Sequence, residues 1–228
     1  MQLRMRSKGG KMKLLLWLMI LLLTSCTTNQ PVPTPPVVVQ PTPSMVVTSP
    51  TPIPSLPKLD WELNHPERAA WTASLLSIIA PFIDVFSSAK DITQFRSDYA
   101  TLTTAQKISI VAEIFCWDAY YESSWDPTQY SVDVGNSNNK NTWSVGLLQM
   151  SVTDQANYGF KFGYSFTDLQ SPTPNLTLAV NVMVKQIQKY GVIMIPQGSP
   201  GDYWSTLHPG GKYDASASII KAVKAFKP

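Results

Sequence analysis

The chain has 228 residues, with 19 prolines, two cysteines, 44% hydrophobic and 11% aromatic residues, and a formal charge of +3. This is long enough for one large domain or two small ones, and apolar enough to exclude wholesale disorder. Two cysteines allow one bridge at most, which excludes a disulfide-built scaffold, and so small a charge does not argue for nucleic acid.

The first segment reads as an address. Arg4, Arg6, Lys8, Lys11 and Lys13 occur with no acid among them, and Leu14 to Leu23 is an unbroken apolar run. Ten residues are too few to span a bilayer as a helix, but they suit the hydrophobic region of a secretory signal behind a basic start. Leu23-Thr24-Ser25-Cys26 follows directly. It resembles the bacterial lipobox, which implies cleavage after residue 25 and lipid on Cys26. The alternative is an ordinary signal with an incidental cysteine. Several acyl chains on one residue would hold a membrane durably, at about 0.8 kcal/mol per buried methylene. Thr27 is not aspartate, so the lipobox resemblance implies the periplasmic face of the outer membrane, or the extracytoplasmic surface of the cell membrane if the source is Gram-positive.

Residues 27 to 57 hold ten of the 19 prolines and no charged residue. Proline fixes φ and removes donors, so an extended spacer is expected at 26–57, able to reach roughly 90 Å as polyproline II. Without residues 1–25, 13 Lys and Arg face 15 Asp and Glu, so the remaining chain carries a charge of −2. Residues 58–228 then form one domain of ordinary size.

Its pattern is helical. Trp71, Leu75, Ile78, Ile79 and Phe82 recur at helical spacing over 68–90, with Pro81 as a break. A short helix is expected over 91–99. Thr103 or Thr104 caps a stronger one that runs through Ile108, Val111, Ile114 and Phe115 to Ser123. Ser151 to Asp154 has capping-box spacing. Asn175 to Tyr190 reads as an amphipathic helix ended by Gly191, and Ser216 to Phe226 as the last helix. Residues 127–145 and 192–214 are rich in Gly, Asn, Ser and Pro and read as long working loops. Strand signal is limited to a short ribbon near 130–134 and 143–145. The class is mainly α.

Nucleophile elbows, phosphate loops and zinc spacings are absent. His65 and His208 stand far apart and read as packing or surface residues. Cys116, inside the 104–123 helix, reads as a buried, inert thiol. The Asn-rich loop 133–141 lacks the closing glutamate of a calcium loop. No metal or cofactor is expected. Glu122 stands at the end of a helix, where the dipole disfavours ionised carboxylate, among Trp117, Tyr120, Tyr121 and Trp125, which can desolvate it. Both effects raise its pKa, as a general acid requires. Glu113, nine residues earlier, falls on the opposite helix face, whereas Asp118 shares the face of Glu122. On this segment alone, a glutamate that merely ends a surface helix is the better reading.

The next segment reverses that. Glu122-Ser123-Ser124, followed by Ser144-Val145-Gly146-Leu147-Leu148-Gln149-Met150, resembles the first two motifs of soluble-lytic-transglycosylase enzymes, with Leu148 where methionine is usual. The resemblance implies a lysozyme-like fold and an enzyme that cleaves the β-1,4 bond between N-acetylmuramic acid and N-acetylglucosamine in peptidoglycan glycan strands. It implies Glu122 as acid then base, Ser144 and Gln149 as substrate contacts, and Gly146 as a place where the backbone comes close. For the family's later motifs, Asn181 is the candidate asparagine, and Tyr203 or Tyr190 the candidate tyrosine. Trp125 and Trp143 are candidates to stack on sugars. Two rivals stay open. One is a hydrolytic lysozyme whose water-activating carboxylate is Asp133, Asp154 or Asp202. The other is a non-catalytic, glycan-binding lipoprotein.

Overall fold

The computed structural model describes residues 57–132, 135, 137–196, 199 and 203–228. The signal segment, Cys26 and the spacer up to residue 56 lie outside the described residues, as do Asp133 and Asp202.

The fold is built around one long helix, α4 (Thr104–Ser123). Thr103 begins it with a capping box: its hydroxyl accepts from the Gln106 N–H, and the Gln106 side chain accepts from the Thr103 N–H at 3.0 Å. These contacts satisfy two donors that would otherwise be orphaned at the helix start. Ile110, Val111, Ala112, Ile114, Phe115, Cys116 and Ala119 are all buried, so α4 is wrapped on more than one side. It ends abruptly, because Ser124 and Trp125 both take left-handed φ values, of 55° and 61°.

Helix α1 (Ala69–Ile79), a 3₁₀ turn containing Pro81 (Ala80–Phe82), and α2 (Ile83–Ser87) fulfil the expected interrupted helix. The run Pro66–Ser87 has the length and mean hydropathy (1.7) of a membrane span. Here it lays Leu75, Ile79 and Phe86 into the core, and α1 and α2 both pack on α4 and on the later helix α7 (Pro172–Tyr190). The short α3 (Ile92–Phe95) follows. Asp91, just before it, accepts from the Ile193 and Met194 N–H groups at 2.9 and 2.8 Å, which pins the loop that leaves α7.

Beyond α4, β1 (Tyr130–Ser131) pairs antiparallel with β2 (Ser144–Val145), with Tyr130 opposite Val145. This is the expected ribbon. Helix α5 (Val152–Asn157) starts at the predicted Ser151–Asp154 box. Helix α6 (Phe166–Leu169) was not expected, since four residues are too few to display a period; Ser165 and Asp168 cap it. Helix α7 (Pro172–Tyr190) starts three residues before Asn175, with Pro172 at its first position, where a missing N–H costs nothing. It stops at Gly191 (φ 74°), as read from the sequence. Helix α8 (Ser216–Ala225) packs on α3 and α4. The described residues are mainly α, with long loops and a two-strand ribbon, the make-up expected of a lysozyme-like fold.

Candidate active site

A cavity of about 350 Å³ opens where the C-terminal end of α4, the ribbon, the start of α5 and the segment 203–205 converge. Glu122, Thr142, Ser144, Gln149, Ser151, Asp154, Tyr203, Trp204 and Ser205 line it. Four of the six cleft residues expected by resemblance are therefore together: Glu122, Ser144, Gln149 and Tyr203.

Glu122 reaches the cavity because α4 stops one residue later. Its Oε1 lies 2.9 Å from the Thr206 hydroxyl, which also lies 2.6 Å from Asp118 Oδ1. Burial raises the pKa of Glu122, and the Thr206 hydrogen bond pulls it partly back. Asp118, one turn earlier and fully buried, is raised well above the ordinary carboxylate range, first by burial and then by the charge of Glu122. Thr206 belongs to a 3₁₀ turn (Ser205–Leu207) and is tied down by Ala215, whose N–H donates to the Thr206 carbonyl at 2.8 Å.

The wall opposite is a tight loop over 145–150. Ser123 braces it from α4, with its hydroxyl 2.9 Å from the carbonyls of both Leu147 and Ala119. Asn175, wholly buried on α7, accepts from the Leu148 N–H and donates to the carbonyls of Val145 and Leu169, all within 3.0 Å. Gln149 is held at φ 48°, and its amide donates to the Gly146 carbonyl at 2.9 Å. Gly146 corrects an expectation. It is buried, and its backbone comes close to the protein's own Asn175 rather than to the cavity. At φ 79°, an added Cβ would stand 2.3 Å from the Leu169 carbonyl oxygen and 2.4 Å from Asn175 Nδ2.

The third wall carries Tyr203, whose hydroxyl donates to Asp154 Oδ2. That oxygen also accepts from the Ser151 N–H at 2.7 Å, so the capping box of α5 holds Asp154 in place. Burial and the Asp154 carboxylate together push the Tyr203 phenol well above its ordinary range. Trp204 turns inward, and its indole N–H donates to the Leu148 carbonyl at 3.1 Å.

Other expected residues lie elsewhere. Tyr190 lines a separate groove with Asn157, Tyr158, Lys185 and Lys189. Asn181 donates within its own helix, to the Thr177 carbonyl. Trp125 bonds back to the Cys116 carbonyl at 2.7 Å and packs with Trp117 and Tyr120. Trp143 stacks on Tyr130, with centroids 5.6 Å apart, and meets Phe166 edge-on beside the cavity residues Thr142 and Ser144. His65 faces Glu67 on the surface, and His208 is buried. Cys116 is buried as expected, with its thiol pKa driven up by burial. Among the described residues, no group of three His, Cys, Asp or Glu side chains is arranged to hold a metal. Sequence reading missed Thr206 and Asn175. Nothing local marks Thr206, whereas Asn175 carried one signal: a fully polar residue on the apolar side of an amphipathic helix.

Residues 102–205 match the family model described as the transglycosylase SLT domain. Solved structures of a protein named DslA are similar in fold. Its wild-type form is 23% identical, with a TM-score of 0.61 over 73% of this chain and 94% of that one. Two of its mutants match with 24% identity and the same TM-score. No curated protein matches.

Proposed function

We propose that the SLT domain of this chain belongs to a lytic transglycosylase that cleaves the bond between N-acetylmuramic acid and N-acetylglucosamine in peptidoglycan. The observation that carries this reading is Glu122 itself. It is a carboxyl raised by burial, at the edge of a cavity lined by Ser144, Gln149 and Tyr203. A carboxyl that burial makes hold its proton more tightly than usual can give that proton to the glycosidic oxygen as the bond from C1 breaks. The muramoyl 6-hydroxyl then forms the new bond to C1, and its proton returns to Glu122. The product is a 1,6-anhydromuramoyl end. The attacking hydroxyl belongs to the substrate, so one carboxyl suffices where most glycosidases need two.

The hydrolytic alternative has one observation in its favour. Asp154 lines the same cavity, and a carboxylate held by a backbone N–H and a phenol is placed to activate water. Mass spectrometry of digested sacculi separates the two, since anhydro ends are expected and reducing muramic ends would replace that reading with hydrolysis. Glu122→Gln is expected to abolish solubilisation of sacculi. If solubilisation persists, or if the wild-type protein shows none, catalysis through Glu122 is wrong and a glycan-binding role takes its place. The lipobox resemblance supports a lipid anchor at Cys26 and a site of action at the periplasmic face of the outer membrane. Loss of incorporated radiolabelled palmitate in Cys26→Ala tests it.

A further inference from the structure

Three oxygens stand in a row at the floor of the cavity: Asp118 Oδ1, Thr206 Oγ1 and Glu122 Oε1, separated by 2.6 and 2.9 Å. Both gaps are hydrogen-bond lengths, and each needs a hydrogen. The threonine hydroxyl supplies one. The second must sit on one of the two acids, so the pair cannot hold two negative charges in this arrangement. The surroundings decide which acid keeps it. Asp118 is wholly buried, and no described residue donates to its Oδ2. A bare ionised oxygen there would be costly, whereas the carbonyl oxygen of a neutral acid tolerates it. Glu122 opens to the cavity, where charge costs less.

We propose that Asp118 is a positioning acid that stays protonated: it donates to the Thr206 hydroxyl, which donates to Glu122 Oε1, leaving Oε2 to carry the proton toward the substrate. The relay has a direction. With Asp118 as the source, the Thr206 hydrogen always points at Glu122. It therefore steadies the carboxylate that forms when Glu122 has given its proton away, and it keeps Oε1 from competing for that proton. Asp118 never touches the substrate. The other titratable groups packed around this end of α4 are Tyr203, which is engaged by Asp154, and His208, which interacts with Asp214.

This inference rests on Glu122 as the acid, and its test separates the two ideas. Rates on purified sacculi are measured against pH for the full protein and for Thr206→Val, Asp118→Ala and Asp118→Asn. Thr206→Val removes a bond to the ionised form, so the basic limb moves to higher pH and kcat falls about tenfold with KM nearly unchanged. Asp118→Ala lowers kcat similarly. Asp118→Asn, whose amide N–H replaces the carboxyl O–H, restores most of kcat and leaves the basic limb where the unaltered protein has it. A basic limb that moves to lower pH in Asp118→Asn would mean a charged Asp118, and would overturn the relay. So would an unmoved limb in Thr206→Val. Should Asp118→Ala fail to fold, the other two variants still decide. The infrared spectrum gives a readout that does not depend on activity: in Glu122→Gln at neutral pH, a protonated-carboxyl band that Asp118→Asn removes is expected. Absence of that band also overturns the relay, while persistence of activity in Glu122→Gln overturns only the reading of Glu122.

Discussion

Helix α4 carries two glutamates whose pKa values are raised, and only one of them faces a cavity. Glu113 is fully buried against Asp60, and burial, followed by the Asp60 charge, raises it to about 8. Its Oε2 accepts a long hydrogen bond from the Asp60 N–H at 3.4 Å. Glu122 is also raised by burial, but it lines the cavity with Gln149 and Tyr203. Nine residues at 100° each put the two on opposite faces of the helix. A displaced pKa therefore marks strain on a carboxyl, and access to a substrate decides whether chemistry follows.

The sharpest break in this comparison comes from paired substitutions. Glu122→Gln is expected to lower the rate on sacculi about a thousandfold or more, while Glu113→Gln stays within about twofold. Equal losses would mean that both glutamates serve the fold. Asn175→Ala tests whether the loop facing Glu122 is as dependent on burial as the helix is. It strips partners from three buried backbone groups and should cost about 3 kcal/mol in denaturant unfolding. Glu113 has a signature of its own in stability. A carboxyl raised in the fold binds its proton more tightly there than in the unfolded chain, so its contribution is complete below about pH 4.5 and is lost as pH rises toward 8. The slope is at most about 1.4 kcal/mol per pH unit, and Glu113→Gln should flatten it in thermal melts followed from pH 5 to 8. Among the cavity residues the smallest effect is expected for Tyr203→Phe, which frees Asp154 from one donor and should slow kcat about fivefold, at a cost near 1 kcal/mol.

What was legible in the sequence was local. The Thr103 cap, the break at Pro81, the Ser151 box and the stop at Gly191 each depend on residues within a turn of one another, and each is where it was expected. Glu122, Ser144 and Gln149 were legible because their motifs are short and ordered. What was not legible arises from distance along the chain. Thr206 reaches Asp118 across 88 residues, and Asn175 reaches Val145 across 30. No spacing rule joins such positions. The close approach at Gly146 was foreseen, but its partner was not, because a glycine reports that something comes near without saying what.

The 3₁₀ turn at Ser205–Leu207 also has a consequence for time. A chain that emerges from its N-terminus can complete α4, and with it Glu122, well before the threonine that partners this carboxyl exists, since the two lie 84 residues apart. The loop leading there is pinned at its start by Asp91, which waits more than 100 residues for its partners. Contacts of such separation form late. The carboxyl is thus present in every half-made molecule, but its setting is among the last parts to arrive, so the proposed activity requires a finished fold.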